Sequence, residues 1–289
     1  MPFGGADLHF HSTCSDGVET PAGLVGRAVA AGLAVAALTD HDAVHGIGPF
    51  VAAAGGTGLV AAGGAELSVT EDGEDVHLLG LFVDPSEPAL VDRLAGIREL
   101  RDRRGEAIVE KLATLGVELD LPALRAGVGD GAFGRPHVAR ALVAKAIVAS
   151  SEEAFVRFLG EGRPAFVPKA RWSLGEAVAA VRRAGGLAVL AHPVWYADVP
   201  GLLRKGLDLG LDGVEVFHPD NDGREDDLLR EAEALGLLVS GGSDFHSFAD
   251  GARTLGACRL DEERWRRLAE AGTARRREAG RAPLDLSPR

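Results

Sequence analysis

The eleven residues "DLHFHSTCSDG", 7–17, place two histidines, a cysteine and two aspartates within one short stretch. His9 and His11 are two apart, so on a strand both imidazoles leave the same face and can reach one ion or one wall of a pocket. Taken alone, that spacing also fits a polar strand end. Further stretches carry groups of the same kind: Asp40, His41 and Asp42 in "LTDHD", Glu66 in "GGAELS", His77 in "VHLLGLFV" and His192 in "GLAVLAHP". Asp244 and His246 in "GGSDFHS" repeat the two-residue spacing. Each has a bland role available, since Asp42 could cap the next segment and His192 could be a hydrogen-bonded core residue. Together they form the donor set of Zn, Mn or Fe, in which a bridging carboxylate can hold two ions a few Å apart. A histidine-plus-thiol zinc spacing is missing. Cys14 has no clear activating partner, and a small packed thiol explains it better than a nucleophile does.

These residues need elements that aim them at one place. Seven short apolar runs, "ADLHFH", "AVAALTDH", "GLVAAGGAE", "VHLLGLFV", "GLAVLAH", "DGVEVFH" and "GLLVSGGSDFH", read as strands. Amphipathic stretches such as 21–31, 173–184 and 224–235 separate several of them, the βαβα signature of a mainly parallel sheet. Thr20 and Pro21 suit the start of the first helix. Most of the runs end in His, Asp or Glu, and in a (β/α) barrel the C-terminal strand ends meet at one mouth. His77, near the start of its run, is the exception. From 87 to 162 the chain is helical and charged with no convincing strand. The expected division is therefore a discontinuous catalytic barrel over 1–86 and 163–275, a helical insertion over 87–162 covering the active site, and a flexible polar tail over 276–289.

Composition narrows the function. A chain of 289 residues can hold one large α/β domain or two ordinary ones, and 46% apolar with 26% charged residues is ordinary for a globular protein. No apolar run reaches the roughly 18 residues of a membrane helix, and "MPFGGADLHF" lacks signal-peptide character, so a cytoplasmic protein without a membrane partner is expected. Two cysteines make no disulfide framework. A formal charge of −12 and 5% aromatic residues argue against a stable partnership with long nucleic acid. Phosphorylated substrates stay open, because bound metal ions and a few arginines can reverse the local field.

In this order, "DLHFHSTCSDG", "ALTDHD", "GAELS", "LAHP" and "GSDFHS" resemble the PHP (polymerase and histidinol phosphatase) family of metal-dependent phosphoesterases, over about 1–85 and 165–250. The resemblance implies an α/β fold, a distorted (β/α)7 TIM-like barrel with an inserted helical subdomain. It also implies nine metal ligands: His9, His11, Asp16, His41, Glu66, His77, His192, Asp244 and His246. By resemblance, His9, His11, Glu66 and Asp244 hold one ion. Glu66 bridges to a second held with His77 and His192, while Asp16, His41 and His246 hold a third. The implied cofactors are two or three divalent ions, manganese first, with iron or zinc as alternatives. A metal-activated hydroxide would attack phosphorus without a side-chain nucleophile, with Asp16 and His41 as candidate catalytic residues for proton transfer.

His45, His137 and His218 fall outside that ligand set. His45 fits a place behind the ligands or at the surface. Arg135 and His137 open a helix in "FGRPHVARALV", where a guanidinium and a helix N-terminus both suit phosphate. That stretch and "FVPKARWSLGEAV" resemble the nucleotide-acting branch of the family, which makes Arg135, His137 and Lys169 substrate contacts. His218 is a further candidate phosphate contact. The run "RELRDRR", 98–104, fits a solvated helix face, although one arginine could meet phosphate. The expected reaction is hydrolysis of the 3′-phosphate of nucleoside 3′,5′-bisphosphates. The alternatives are 5′-3′ exonucleolytic trimming of short RNA and hydrolysis of histidinol phosphate. A metal-dependent amidohydrolase or deaminase, which also begins with HxH, and a non-catalytic metal-binding module are readings from other classes. The expected partner is thus a small phosphorylated nucleotide or short RNA; the sequence leaves the oligomeric state open.

Overall fold

The seven apolar runs form seven strands in the computed structural model, which describes residues 3–127, 133–168, 172–248, 251 and 253–288. They are β1 (Ala6–Asp7), β2 (Val35–Leu38), β3 (Val60–Glu71), β4 (Glu74–Leu81), β5 (Leu187–Leu190), β6 (Gly213–Phe217) and β7 (Leu238–Gly241). Neighbours in sequence are neighbours in the sheet. The last strand comes back to the first, where Leu8 N donates to Gly241 O at 3.1 Å and Phe10 bridges to Phe245. The sheet is thus a nearly closed seven-strand barrel.

One strand departs from the expected parallel pattern. β4 runs antiparallel to both β3 and β5. Its hairpin with β3 turns on Asp72 and Gly73, whose φ values of 48° and 85° fit the left-handed pair of a tight two-residue hairpin. The reversal accounts for His77: the start of an antiparallel strand lies at the same barrel end as the finish of its parallel neighbours.

Side chains of alternating strand positions fill the interior and the outer layer separately. Leu8, Val35, Ala37, Leu79, Leu81 and Val189 belong to one buried cluster, which Phe82, Trp265 and Leu268 join. Phe10, Leu38 and Ala61 pack with Leu24, Val25 and Phe50 of helices Pro21–Ala30 and Ile47–Ala53 in another. The first of these helices starts as its sequence suggests, with Thr20 Oγ1 accepting from Gly23 N at 3.1 Å.

The chain divides into two compact units, residues 1–92 with 172–289, and residues 93–171. The barrel lies in the first. The second is helical among its described residues and has its own core, including Ile108, Leu112, Phe133, Val138 and Leu142. Among the described residues no helix is long and apolar enough to cross a membrane.

The C-terminal segment differs from the flexible tail expected over 276–289. Helix Glu262–Glu278 continues into it, Arg276 donates to Phe82 O at 3.0 Å, and Leu284 and Leu286 pack on the barrel core. The alternation of Leu284 and Leu286 with polar neighbours gives the segment one apolar side, which its polar average composition conceals.

Gly242 marks the tightest part of the closure. A Cβ there would collide with the backbone N and Cβ of His9. Gly242→Ala should therefore lower stability by about 1–3 kcal/mol, read as a lower urea midpoint at unchanged slope.

Candidate metal centre

Loops leaving the strand ends carry most of the polar groups, and buried carboxylates tie those loops down. Asp40, after β2, accepts from Ser12 N, Ser12 Oγ and Ser15 Oγ, each at 2.7 Å, and so holds the loop between His11 and Asp16. Asp7, on β1, accepts from Ser243 N and Gly256 N at 3.0 and 2.7 Å, which fixes the loop bearing Asp244. Asp42 accepts from Ser68 N and Ser68 Oγ, both at 2.9 Å. Asp42, His192 and Asp244 have positive φ values of 47°, 28° and 50°. Side-chain-bearing residues hold such conformations only where their surroundings over-determine them.

Glu66, in the middle of β3, is the focus. Its Oε2 lies 3.3 Å from His9 Nε2, 3.2 Å from His11 Nε2 and 3.0 Å from His41 Nδ1. Its Oε1 lies 2.7 Å from His77 Nδ1 and 3.1 Å from His192 Nε2. Asp244 Oδ1 faces His9 Nε2 at 3.4 Å and His11 Nε2 at 3.2 Å. Farther out, Asp16 spans His41 Nε2 at 3.8 Å and His246 Nε2 at 3.4 Å. Asp16 has 46% of its side chain exposed, whereas Glu66 and His9 are buried.

The electrostatics favour a cation. Burial opposes the charged form of Glu66 and Asp244, yet the surrounding histidines, His41 foremost for Glu66 and His9 for Asp244, hold both carboxyls well below the usual range. Burial likewise opposes a proton on His11, but Asp244 and Glu66 outweigh it and raise the imidazole to about 10. His41 goes the other way: burial, with the like charges of His11 and His77, pushes it down to about 3 against Glu66 and Asp16.

Among the described residues, four sets of donor atoms each lie within 4.8 Å of one another: His9, His11, Glu66 and Asp244; His41, Glu66 and His77; His11, Asp16, His41 and His246; and His9, Glu215 and His218. His9 Nε2, His11 Nδ1 and Glu66 Oε2 are buried and lack a well-formed hydrogen bond. Orphaned atoms of this kind are costly unless something else engages them. Imidazoles and carboxylates converging on a largely buried centre fit divalent transition-metal ions.

Comparison with known proteins agrees with this chemistry. Residues 7–124 match the PHP domain. A 5′-3′ exoribonuclease of Haemophilus influenzae is 37% identical over 83% of this chain and 89% of its own length. The chain belongs to the PHP domain family. Another relative, the 3′,5′-nucleoside bisphosphate phosphatase of Chromobacterium violaceum, is 37% identical over 86% of this chain and 90% of its own. A solved structure described as a metal-dependent phosphoesterase from Bifidobacterium adolescentis superposes with a TM-score of 0.83 at 32% identity, over 94% of this chain and 98% of that one.

Against this PHP background, all nine ligand candidates gather around Glu66 and Asp16. His192 contacts Glu66 and packs against Trp195, with ring centroids 3.8 Å apart and the rings tilted by 34°. His45 is exposed, and Cys14 is half-buried in the loop that Asp40 holds. His218 is buried beside the cluster, 3.4 Å from Asp244 Oδ2. Arg135 and His137 lie in the helical unit, where His137 Nδ1 accepts from Gly134 N at 3.2 Å at the start of helix Arg135–Ala144. Lys169 lies outside the described residues. Sequence reasoning missed Glu215, whose carboxylate sits between His9 and His192, and Tyr196, whose hydroxyl accepts from His77 N at 2.9 Å. The one signal for Glu215 was alternation, which puts an acid between Val214 and Val216 on the opposite face of the strand from those two apolar side chains.

Replacing Asp244 with Ala should reduce bound divalent metal, measured by elemental analysis of the purified protein, and reduce turnover with it. Full metal content and full activity in Asp244→Ala would contradict its place in the centre.

Proposed function

We propose that this protein, a hydrolase of phosphate esters, removes the 3′-phosphate from nucleoside 3′,5′-bisphosphates. The reading is carried by the cluster around Glu66, which suits multi-metal phosphoester chemistry, taken with the named activity of the Chromobacterium relative. Two or three divalent ions, manganese first and iron or zinc as alternatives, would be held by the nine ligand residues. Such ions neutralise phosphate oxygens and the leaving oxygen, and make a nucleophile of water near neutral pH.

The chain's own groups divide the remaining work. Glu66 offers one oxygen to each half of the cluster and sets their separation. At the exposed edge, Asp16, whose side chain is 46% exposed, is the better placed of the two proposed catalytic residues to carry a proton, because burial holds His41 neutral and only weakly basic. In the helical unit Arg104 Nε donates to Val167 O at 2.6 Å, and the Arg135 guanidinium lies over the Phe155 ring, 5.4 Å from its centroid, with Arg101 near enough to act on both by charge. Burial and mutual repulsion lower Arg135 and push Arg104 down to about 10. A phosphate beside them would relieve that repulsion through charge-assisted hydrogen bonds, which supports Arg135 as a substrate contact. His137 and Lys169 belong to the same proposal.

Trimming of short RNA from its 5′ end is the second reading, favoured by the equally similar Haemophilus exoribonuclease. A phosphate-release screen with added Mn²⁺ over nucleoside bisphosphates, short RNAs and histidinol phosphate separates them. Bisphosphates should give the highest kcat/KM, and a chelator should abolish turnover; a metal-loaded protein that hydrolyses none of these esters would overturn the proposal. Arg135→Ala should raise KM for a bisphosphate by about tenfold or more, the worth of a hydrogen bond to a charged group, at unchanged metal content.

A further inference from the structure

Of the seven strands, β6 supplies none of the nine ligand candidates, yet it carries two polar side chains buried against them. We infer that β6 is an orienting strand: Glu215 and His218 fix the donor atoms of their neighbours without binding metal themselves. The inference rests on the metal reading above.

Glu215 is fully buried, and its two oxygens have separate tasks. Oε1 lies 2.9 Å from His9 Nδ1, and Oε2 accepts from the backbone N of His192, also at 2.9 Å. A carboxylate can only accept, so the hydrogen of His9 must reside on Nδ1. The lone pair of His9 Nε2 is thereby left pointing toward Glu66 Oε2 and Asp244 Oδ1. The second bond braces the backbone of His192 at its unfavourable φ of 28°, with Nε2 against Glu66 Oε1. A single carboxylate thus sets one imidazole on each oxygen of Glu66.

His218 has the opposite polarity. The backbone N of Asp220 donates to its Nδ1 at 3.1 Å, which engages the only lone pair of the neutral ring and places the hydrogen on Nε2. That N–H, which makes no well-formed hydrogen bond, has Asp244 Oδ2 3.4 Å away, and Arg253 Nε faces the same oxygen at 3.6 Å. Oδ1 is turned toward His9, His11 and His246. By proximity, His9, Glu215 and His218 could pass for a further cation site. Hydrogens on His9 Nδ1 and His218 Nε2 fill that space instead. His218 is therefore a positioning residue for Asp244 rather than the phosphate contact expected from its place after a strand.

The test uses the full chain, stripped of metal and titrated calorimetrically with Mn²⁺. Bound manganese per chain, kcat and KM for a bisphosphate, and the Tm of the metal-free protein are measured alongside. Glu215→Gln keeps the shape but leaves an amide facing one of two donors. It should weaken Mn²⁺ binding about 10–100-fold, the usual cost of losing a partner behind a ligand, with kcat restored by excess Mn²⁺ and KM unchanged. His218→Gln, whose amide N–H can reach the place of Nε2, should bind Mn²⁺ much as the wild type does, and His218→Leu should lose affinity as Glu215→Gln does. Equal losses in both His218 variants would make His218 a ligand and overturn the inference. So would a raised KM at intact Mn²⁺ affinity in His218→Leu, or wild-type affinity in Glu215→Gln. The His218 pair decides the matter even where Glu215→Gln lowers the metal-free Tm. A wild-type chain that takes up no Mn²⁺ overturns the metal reading itself, which the variants alone do not touch.

Discussion

The rest of the structure depends on an ionised carboxylate, Glu66, held in a barrel interior within reach of five imidazoles. Removing a carboxylate from water costs several kcal/mol unless charge and hydrogen bonds replace the lost hydration. Here the replacement comes from β1, β2, β4 and β5 at once, so the strand ends must be held in register to fractions of an ångström. The reversed β4, the bare Gly242 beside His9 and the left-handed residues at 42, 192 and 244 are the backbone devices that meet this demand.

Much of this was legible from residue types and order. The seven apolar runs became the seven strands in sequence, and the histidines and carboxylates placed at their ends by reading alone come together in space. What escaped had physical reasons. The β3–β4 hairpin hides in "EDGED", where an Asp-Gly turn lies between two apolar runs that a βαβ expectation joins through a helix. Glu215 was hidden because a charged residue in an apolar strand resembles an interruption until its partners from distant strands are known. His218 was placed near the site, but only the bond from Asp220 N decides which nitrogen faces inward. The terminal leucines were masked by averaging over a polar segment.

The division of labour is also instructive. Every residue of the metal cluster comes from the barrel unit, and the arginines proposed for phosphate come from the helical one. On the proposed reading, chemistry and recognition would sit on parts of the chain with separate cores. Substitutions in the helical core that includes Phe133 and Leu142 can retune what is bound without disturbing the donors that act on it. Relatives named for a monoesterase and for an exoribonuclease, at equal identity to this chain, are what such an arrangement permits.

His11 and Asp244 stand 3.2 Å apart in space and 233 residues apart in sequence. They lie just beyond the first and last strands, across the seam where the barrel closes. A cation held between them would be a clasp across nearly the whole chain, closing the kind of long loop whose ordering is costly in entropy. Anything that binds only the folded form adds to its stability by mass action. The candidate metal centre would in that sense also be the rivet of the barrel seam, and the supply of metal would set how firmly the fold is fastened.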